Sequence, residues 1–146
     1  MNGPFFTKVV SAQSGIPERL LQRIKAGIPV DEEELVGINF NQKTSFEGQT
    51  LLHLAARTSL HNVQLLIAQG ANVNALADHN RTALHVAALH NQENIVRYLI
   101  EKGADMTIVQ TDTKETAKDL AQRKNHASIV EYLESQSLLS RISSPG

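Results

Sequence analysis

The chain has 146 residues, a net charge of −1, 41% apolar content, 4% aromatics and no cysteine. That length suits one domain, the near-neutral charge offers no basic field to a polyanion, and the absence of thiols excludes disulfides and Cys-based zinc sites. No apolar run reaches the ~20 residues needed to cross a bilayer, and residues 1–8 carry neither a charged leader nor a long apolar stretch, so the expected setting is cytosolic.

In chain order, the first recognisable features are Ala12, Gly15, the apolar stripe Leu20, Leu21 and Ile24, and the run Gly27-Ile28-Pro29-Val30-Asp31. These read as a small residue, a turn glycine, a bulky helix and a loop. An acidic and then apolar stretch follows, Glu32-Glu33-Glu34-Leu35-Val36-Gly37-Ile38-Asn39-Phe40-Asn41. Next comes Thr50-Leu51-Leu52-His53-Leu54-Ala55-Ala56, then an aliphatic helix carrying Val63, Leu65, Leu66 and Ile67, then Gly70-Ala71-Asn72-Val73-Asn74. The pattern returns as Thr82-Ala83-Leu84-His85-Val86-Ala87-Ala88, with Ile95, Val96, Leu99 and Ile100, and Gly103-Ala104-Asp105-Met106-Thr107. Thr116-Ala117-Lys118-Asp119-Leu120-Ala121, with Ile129, Val130, Tyr132 and Leu133, is a further copy in which Asp119 replaces the histidine. Leu138, Leu139 and Ile142 continue at helical spacing and are expected to close the open end of the stack.

A helix, a turn, a second helix and a loop recurring at this period signal a solenoid. The motifs closely resemble the ankyrin repeat, with its T-x-L-H-x-A-A start and G-A-x-x-N end. The implied fold is all-α, a solenoid of paired antiparallel helices with hairpin-like loops. On this reading residues 5–31 form a degenerate first repeat, 45–77, 78–111 and 112–136 three further repeats, and 137–146 a tail. Between Val30 and Thr50 the family pattern leaves room for about nine residues, so roughly eleven are extra, and residues 32–44 read as an inserted loop. Because Gly37-Ile38-Asn39-Phe40-Asn41 imitates the end motif a second time, that later copy could instead form the junction, with 31–36 as a helical turn on the rim.

The residue types have local reasons. Thr50 and Thr82 can cap the first helix, and the histidine three residues later stands within reach of the threonine and the next loop. The alanines keep the first helix thin. Gly27, Gly70 and Gly103 are read as left-handed closures of second helices, and Gly48 and Asn80 suit the same backbone in the hairpins, whereas Lys114 suits it poorly and predicts an altered last hairpin. One residue is missing from the helix-helix turn around Arg57-Thr58-Ser59, which calls for a tighter turn or a shorter first helix, while Asn91 and Asn125 fill the left-handed turn slot of later copies.

The histidines do not assemble a metal or catalytic set: no H-E-x-x-H occurs, and His53 and His61 fall on different helices. His53 and His85 are read as structural, and His79, His90 and His126 as exposed. No Ser-His-Asp set or phosphate loop can be built, so the expectation is a non-enzymatic protein-protein interaction module without cofactor or metal, monomeric, bound to no membrane and not to nucleic acid. The alternatives are an inhibitor or adaptor that occludes a partner's active surface, or a subunit associated with nucleic acid or an enzyme. The resemblance implies binding on the concave face, at the tips Phe46, Glu47, Gln49, Asp78, His79, Arg81, Asp112, Thr113 and Glu115 and at Arg57, Leu89, His90, Arg123 and Lys124 of the first helices. Phe46 and Leu89 stand out as apolar groups beside arginines. The resemblance also marks Asn74 as a candidate for asparaginyl hydroxylation.

Overall fold

Backbone with positive φ recurs along this chain at three fixed places. A computed structural model describes residues 15–143, with side chains up to residue 141. Its helices are α1 (Glu18–Lys25), α2 (Leu51–Ala55), α3 (Leu60–Ala68), α4 (Ala83–Leu89), α5 (Glu93–Glu101), α6 (Ala117–Arg123) and α7 (Ala127–Ser143), with 3-10 turns at Glu32–Leu35 and Asp78–Asn80 and no strand among the described residues. Gly15, Gly48, Asn80 and Lys114, all left-handed, stand at the same distance before α1, α2, α4 and α6. Gly27, Asn91 and Asn125 follow α1, α4 and α6 in the same way, and Gly37, Gly70 and Gly103 follow the 3-10 turn, α3 and α5.

This lattice corrects the reading of the N-terminal third. Helix α1 is a first helix, not a second one: it packs on α2, as α2 packs on α4 and α4 on α6. Gly15 therefore holds the slot three residues before a first helix, Gly27 belongs to the helix-helix turn, and the place of a second helix is taken by the single turn Glu32–Leu35. The later copy of the end motif is the equivalent one, since the amide of Asn41 donates to Asn39 Oδ1 (3.0 Å) as that of Asn74 does to Asn72 Oδ1 (2.9 Å) and that of Thr107 to Asp105 Oδ1 (2.8 Å). Residues 32–44 are thus a shortened half-repeat rather than an insertion. The sequence misled because Gly27-Ile28-Pro29-Val30-Asp31 imitates a loop that comes ten residues later in the structure. The turn is held by an Asp31–Glu34 capping box and by Arg23, which pairs with Glu34 and donates to the Pro29 carbonyl. Ala12 lies outside the described residues.

Second helices stack as well, α3 on α5 and α5 on α7. Between the two rows sits an aliphatic core in which Val63, Leu66, Val96 and Leu99 are wholly buried, together with Ala55, Ala56, Ala87 and Ala88. A methyl group at those alanines is all the spacing permits, which is what lets successive first helices approach. Repeat 2 absorbs its missing residue by shortening the first helix: α2 has 5 residues where α4 and α6 have 7. No left-handed residue remains in its turn, and Ser59 caps α3 by accepting from the Asn62 amide (3.2 Å).

The histidine motif works as a bridge between repeats. His53 Nδ1 accepts from the Thr50 amide (3.1 Å), and Nε2 lies 2.9 Å from the Arg81 carbonyl in the next hairpin. His85 does the same with the Thr82 amide (3.1 Å) and the Glu115 carbonyl (3.2 Å). A carbonyl can only accept, so Nε2 carries the proton and the ring is the neutral tautomer. Burial pushes the His53 pKa down to about 4 and lowers that of His85, desolvation outweighing the favourable carbonyl bonds. Asp119 caps Thr116 through one carboxylate oxygen (3.0 Å), which fills only the first half of the role.

The last hairpin is altered as expected: Lys114 adopts the left-handed region (φ 61), but Thr113 lacks the positive φ that Glu47 and His79 show beside Gly48 and Asn80, while the Gln110 amide to Glu115 carbonyl bond (2.9 Å) matches the one that Thr44 makes to Gln49 (2.8 Å). The cross-hairpin bonds supply what the lysine's own preference does not. Two other expectations fail. His126 is half-buried, its Nδ1 2.8 Å from the Ala88 carbonyl, so it joins repeats instead of facing solvent. Leu138 and Leu139 are 54% and 55% exposed and do not close the stack, because α7 runs on past the last residues that face α5 and α6. The Ile142 side chain lies outside the described residues.

Candidate functional site

Each hairpin is tied to the next, so the tips form one continuous edge. The Asp78 amide donates to the Glu47 carbonyl (3.1 Å) and the Thr111 amide to the His79 carbonyl (2.9 Å). Arg81 extends from the third tip, donating from Nε to Gln110 Oε1 (2.8 Å) and standing 3.9 Å from Glu47. His79 lies 4.0 Å from Asp112, whose Oδ1 accepts from the Thr113 amide (2.8 Å). On the last repeat Arg123 grips Glu115 with two nitrogens (2.8 and 3.1 Å), a pairing that holds the glutamate's pKa below its usual value.

Between the second and third repeats this edge opens into a hollow of about 140 Å³, lined by Phe46, Glu47, Gln49, Arg57, Arg81, Val86, Leu89 and His90. A smaller one of about 60 Å³ lies beside it under Asp78 and His79. The structure thus brings together the expected residues of repeats 2 and 3. Asp112, Thr113, Glu115, Arg123 and Lys124 of repeat 4 do not line the hollow, although Asp112 stands 4.0 Å from His79 and Lys124 lies close enough to act on His90. Burial first, and then the charges of Arg57, Arg81, His126 and Lys124, lower the His90 pKa. Arg57 and Arg81 thus line the hollow with Glu47 as its carboxylate, and Asp78 and Asp112 stand on the neighbouring tips.

Gln49, expected at an outward tip, is instead 3% exposed, its Nε2 donating to Glu47 (3.0 Å) and its Oε1 without a hydrogen-bond partner among the described residues. It directly precedes the buried cap Thr50, so its backbone is already inside. Leu89 is half-buried, whereas Phe46 is 42% exposed. Val86 and Lys25 were missed. Lys25 stands 5.2 Å over the Phe46 ring, a contact hidden while α1 was placed in the wrong row. Asn74 is engaged at both ends, donating to the Gly103 carbonyl (3.2 Å) and accepting from the Asp105 amide (2.8 Å). It staples two loops together.

The family pattern of ankyrin repeats matches residues 12–110 as three copies. This chain belongs to the ankyrin-repeat family. The matched span ends before α6 and α7. The chain is 44% identical over 92 residues to the rice protein named "Probable E3 ubiquitin-protein ligase XBOS34", covering 60% of this chain and 18% of the relative. It is 30% identical over 104 residues to alpha-latrotoxin-Lg1a of Latrodectus geometricus (69% of this chain, 8% of the relative). It is 32% identical over 97 residues to the B-cell lymphoma 3 protein homolog of mouse (66% and 19%). The chain spans less than a fifth of the length of these relatives. Ankyrin repeats are in general protein-protein interaction modules and not themselves catalytic, and no described helix is long and apolar enough to cross a membrane.

Proposed function

We propose that this chain is a protein-binding module whose partner docks on the face made by the hairpin tips and the first helices, centred on repeats 2 and 3. The observation that supports this reading most is the coincidence of an apolar pair, Phe46 and Leu89, with Arg57 and Arg81 around one hollow. Partly exposed aromatic and aliphatic groups beside arginines are the residue types that carry interface energy. Arginines in the hollow beside carboxylates on the tips suit a protein partner carrying both signs of charge and disfavour a uniform polyanion.

The test is the double variant Phe46→Ala with Leu89→Ala, measured against the strongest protein partner captured from lysate. Affinity should fall at least about thirtyfold, or ~2 kcal/mol, with the helical circular dichroism retained. Unchanged affinity would move the site off this face. Deleting 32–36 is not a clean contrast, because it removes Asp31's capping partner and the carboxylate held by Arg23.

A further inference from the structure

We propose that the hollow between the second and third repeats receives a short acidic segment of a protein partner, with one carboxylate on Arg57 and a neighbouring apolar side chain between Phe46 and Leu89. The inference rests on the binding face proposed above and gives it a chemistry. Among the half-buried arginines, Arg23 is paired with Glu34, and Arg81 is engaged by Glu47 and Gln110. Arg57 is half-buried, lines the hollow, and has no carboxylate partner among the described residues. A guanidinium partly removed from water without a counter-charge is costly, and a planar carboxylate answers it with two parallel hydrogen bonds.

Glu47, the carboxylate of the hollow, already accepts from Gln49 and faces Arg81, and so does not neutralise Arg57. Lys25 lies over Phe46 at the first-repeat side. The apolar half of the recognition is Phe46 with Leu89 and Val86, and a space of about 140 Å³ fits a side chain rather than the surface of a domain. Asp78 and Asp112 stand on the neighbouring tips and do not line the hollow that Arg57 lines. An extended polyanion would have to pass those carboxylates, whereas a segment with one local acidic group need not.

A random short-peptide library panned against the full chain tests this. The expected pool places Asp or Glu within a few positions of a large apolar residue, and its members lose about tenfold or more in affinity, ~1.4 kcal/mol, for Arg57→Gln, with the melting temperature of that variant unchanged. Arg57→Lys should recover only part of the loss, since a lysine lacks the planar fork. Peptides that are basic or uncharged, or acidic ones indifferent to Arg57→Gln, overturn the inference. If such peptides still lose affinity on Phe46→Ala, the binding face stands and only its chemistry is wrong; if they are indifferent to that change too, both fall. A pool with no enrichment also overturns it, because the proposal holds that a short segment is enough.

Discussion

The two middle repeats and the two outer ones use the same slots with different chemistry. In the middle, His53 and His85 spend one ring nitrogen on their own helix cap and the other on the next hairpin. In the fourth repeat Asp119 makes the cap alone, and in the first repeat the slot is filled by buried Leu20 beneath Pro17, which makes no side-chain cap. The histidine bridges between helix cap and hairpin are thus confined to the middle of the stack, while the first repeat is tied on by other polar groups: Asn62 accepts from the Val30 amide (3.0 Å) and donates to the Ile28 carbonyl (2.9 Å), and His61 Nε2 lies 3.0 Å from the Val30 carbonyl.

The largest effect should come from removing a buried side chain in the middle. Leu66→Ala or Leu99→Ala should each cost about 2–5 kcal/mol, whereas Leu133→Ala in α7 should fall at the bottom of that range. Denaturant midpoints measure this, and an unmoved midpoint for Leu99→Ala would contradict the comparison at its root. Acid comes next. The folded pKa of His53, about 4, lies below the unfolded value of 6.5, so the unfolded chain takes up the proton first. The stability from a neutral ring is complete above pH 6.5 and drains away as the pH falls towards 4. At about 1.36 kcal/mol per pH unit the loss approaches ~3 kcal/mol, with His85 adding in the same direction. His53→Gln should flatten that slope in urea titrations across the same pH range, and an unchanged slope would mean that the ring does not sit buried and neutral.

A swap of the slot residues gives a smaller signal. His85→Asp keeps a cap and strands the Glu115 carbonyl contact, at about 1–3 kcal/mol, while Asp119→His should change stability by less than ~0.5 kcal/mol. Equal costs would erase the distinction between middle and end. The smallest effect is in the hairpins. Lys114→Gly relieves a left-handed residue and should stabilise by up to about 1 kcal/mol, whereas Gly48→Ala should destabilise, since a Cβ there meets the Asp78 carboxylate.

The middle of this molecule was legible because its motif is spelled out in full, from Thr50 to Asn74 and from Thr82 to Thr107, and each residue there has a reason that works within one repeat. Repeat 1 was misread because glycine is ambiguous. Gly15, Gly27 and Gly37 all take positive φ, yet sequence alone does not say whether such a residue serves a hairpin, a helix-helix turn or the close of a second helix. Only the packing of α1 against α2 decides. The candidate surface was legible in its outline for the same reason as the repeats. Gln49 and Lys25 were not, since one depends on how deep a hairpin sits and the other on which row a helix joins.

The side-chain bonds that join one described repeat to another all connect residues 28 to 38 positions apart, from His53 and Arg81 to His126 and Ala88. Nothing among them reaches past an adjacent unit. The chain therefore never has to close a long loop to complete its native structure, and its folding should be quick for its length and governed by nearest-neighbour steps. The barrier should be crossed where two histidine bridges share a repeat, so that substitutions at His53 or Leu84 slow folding, while substitutions at Leu133 mainly hasten unfolding.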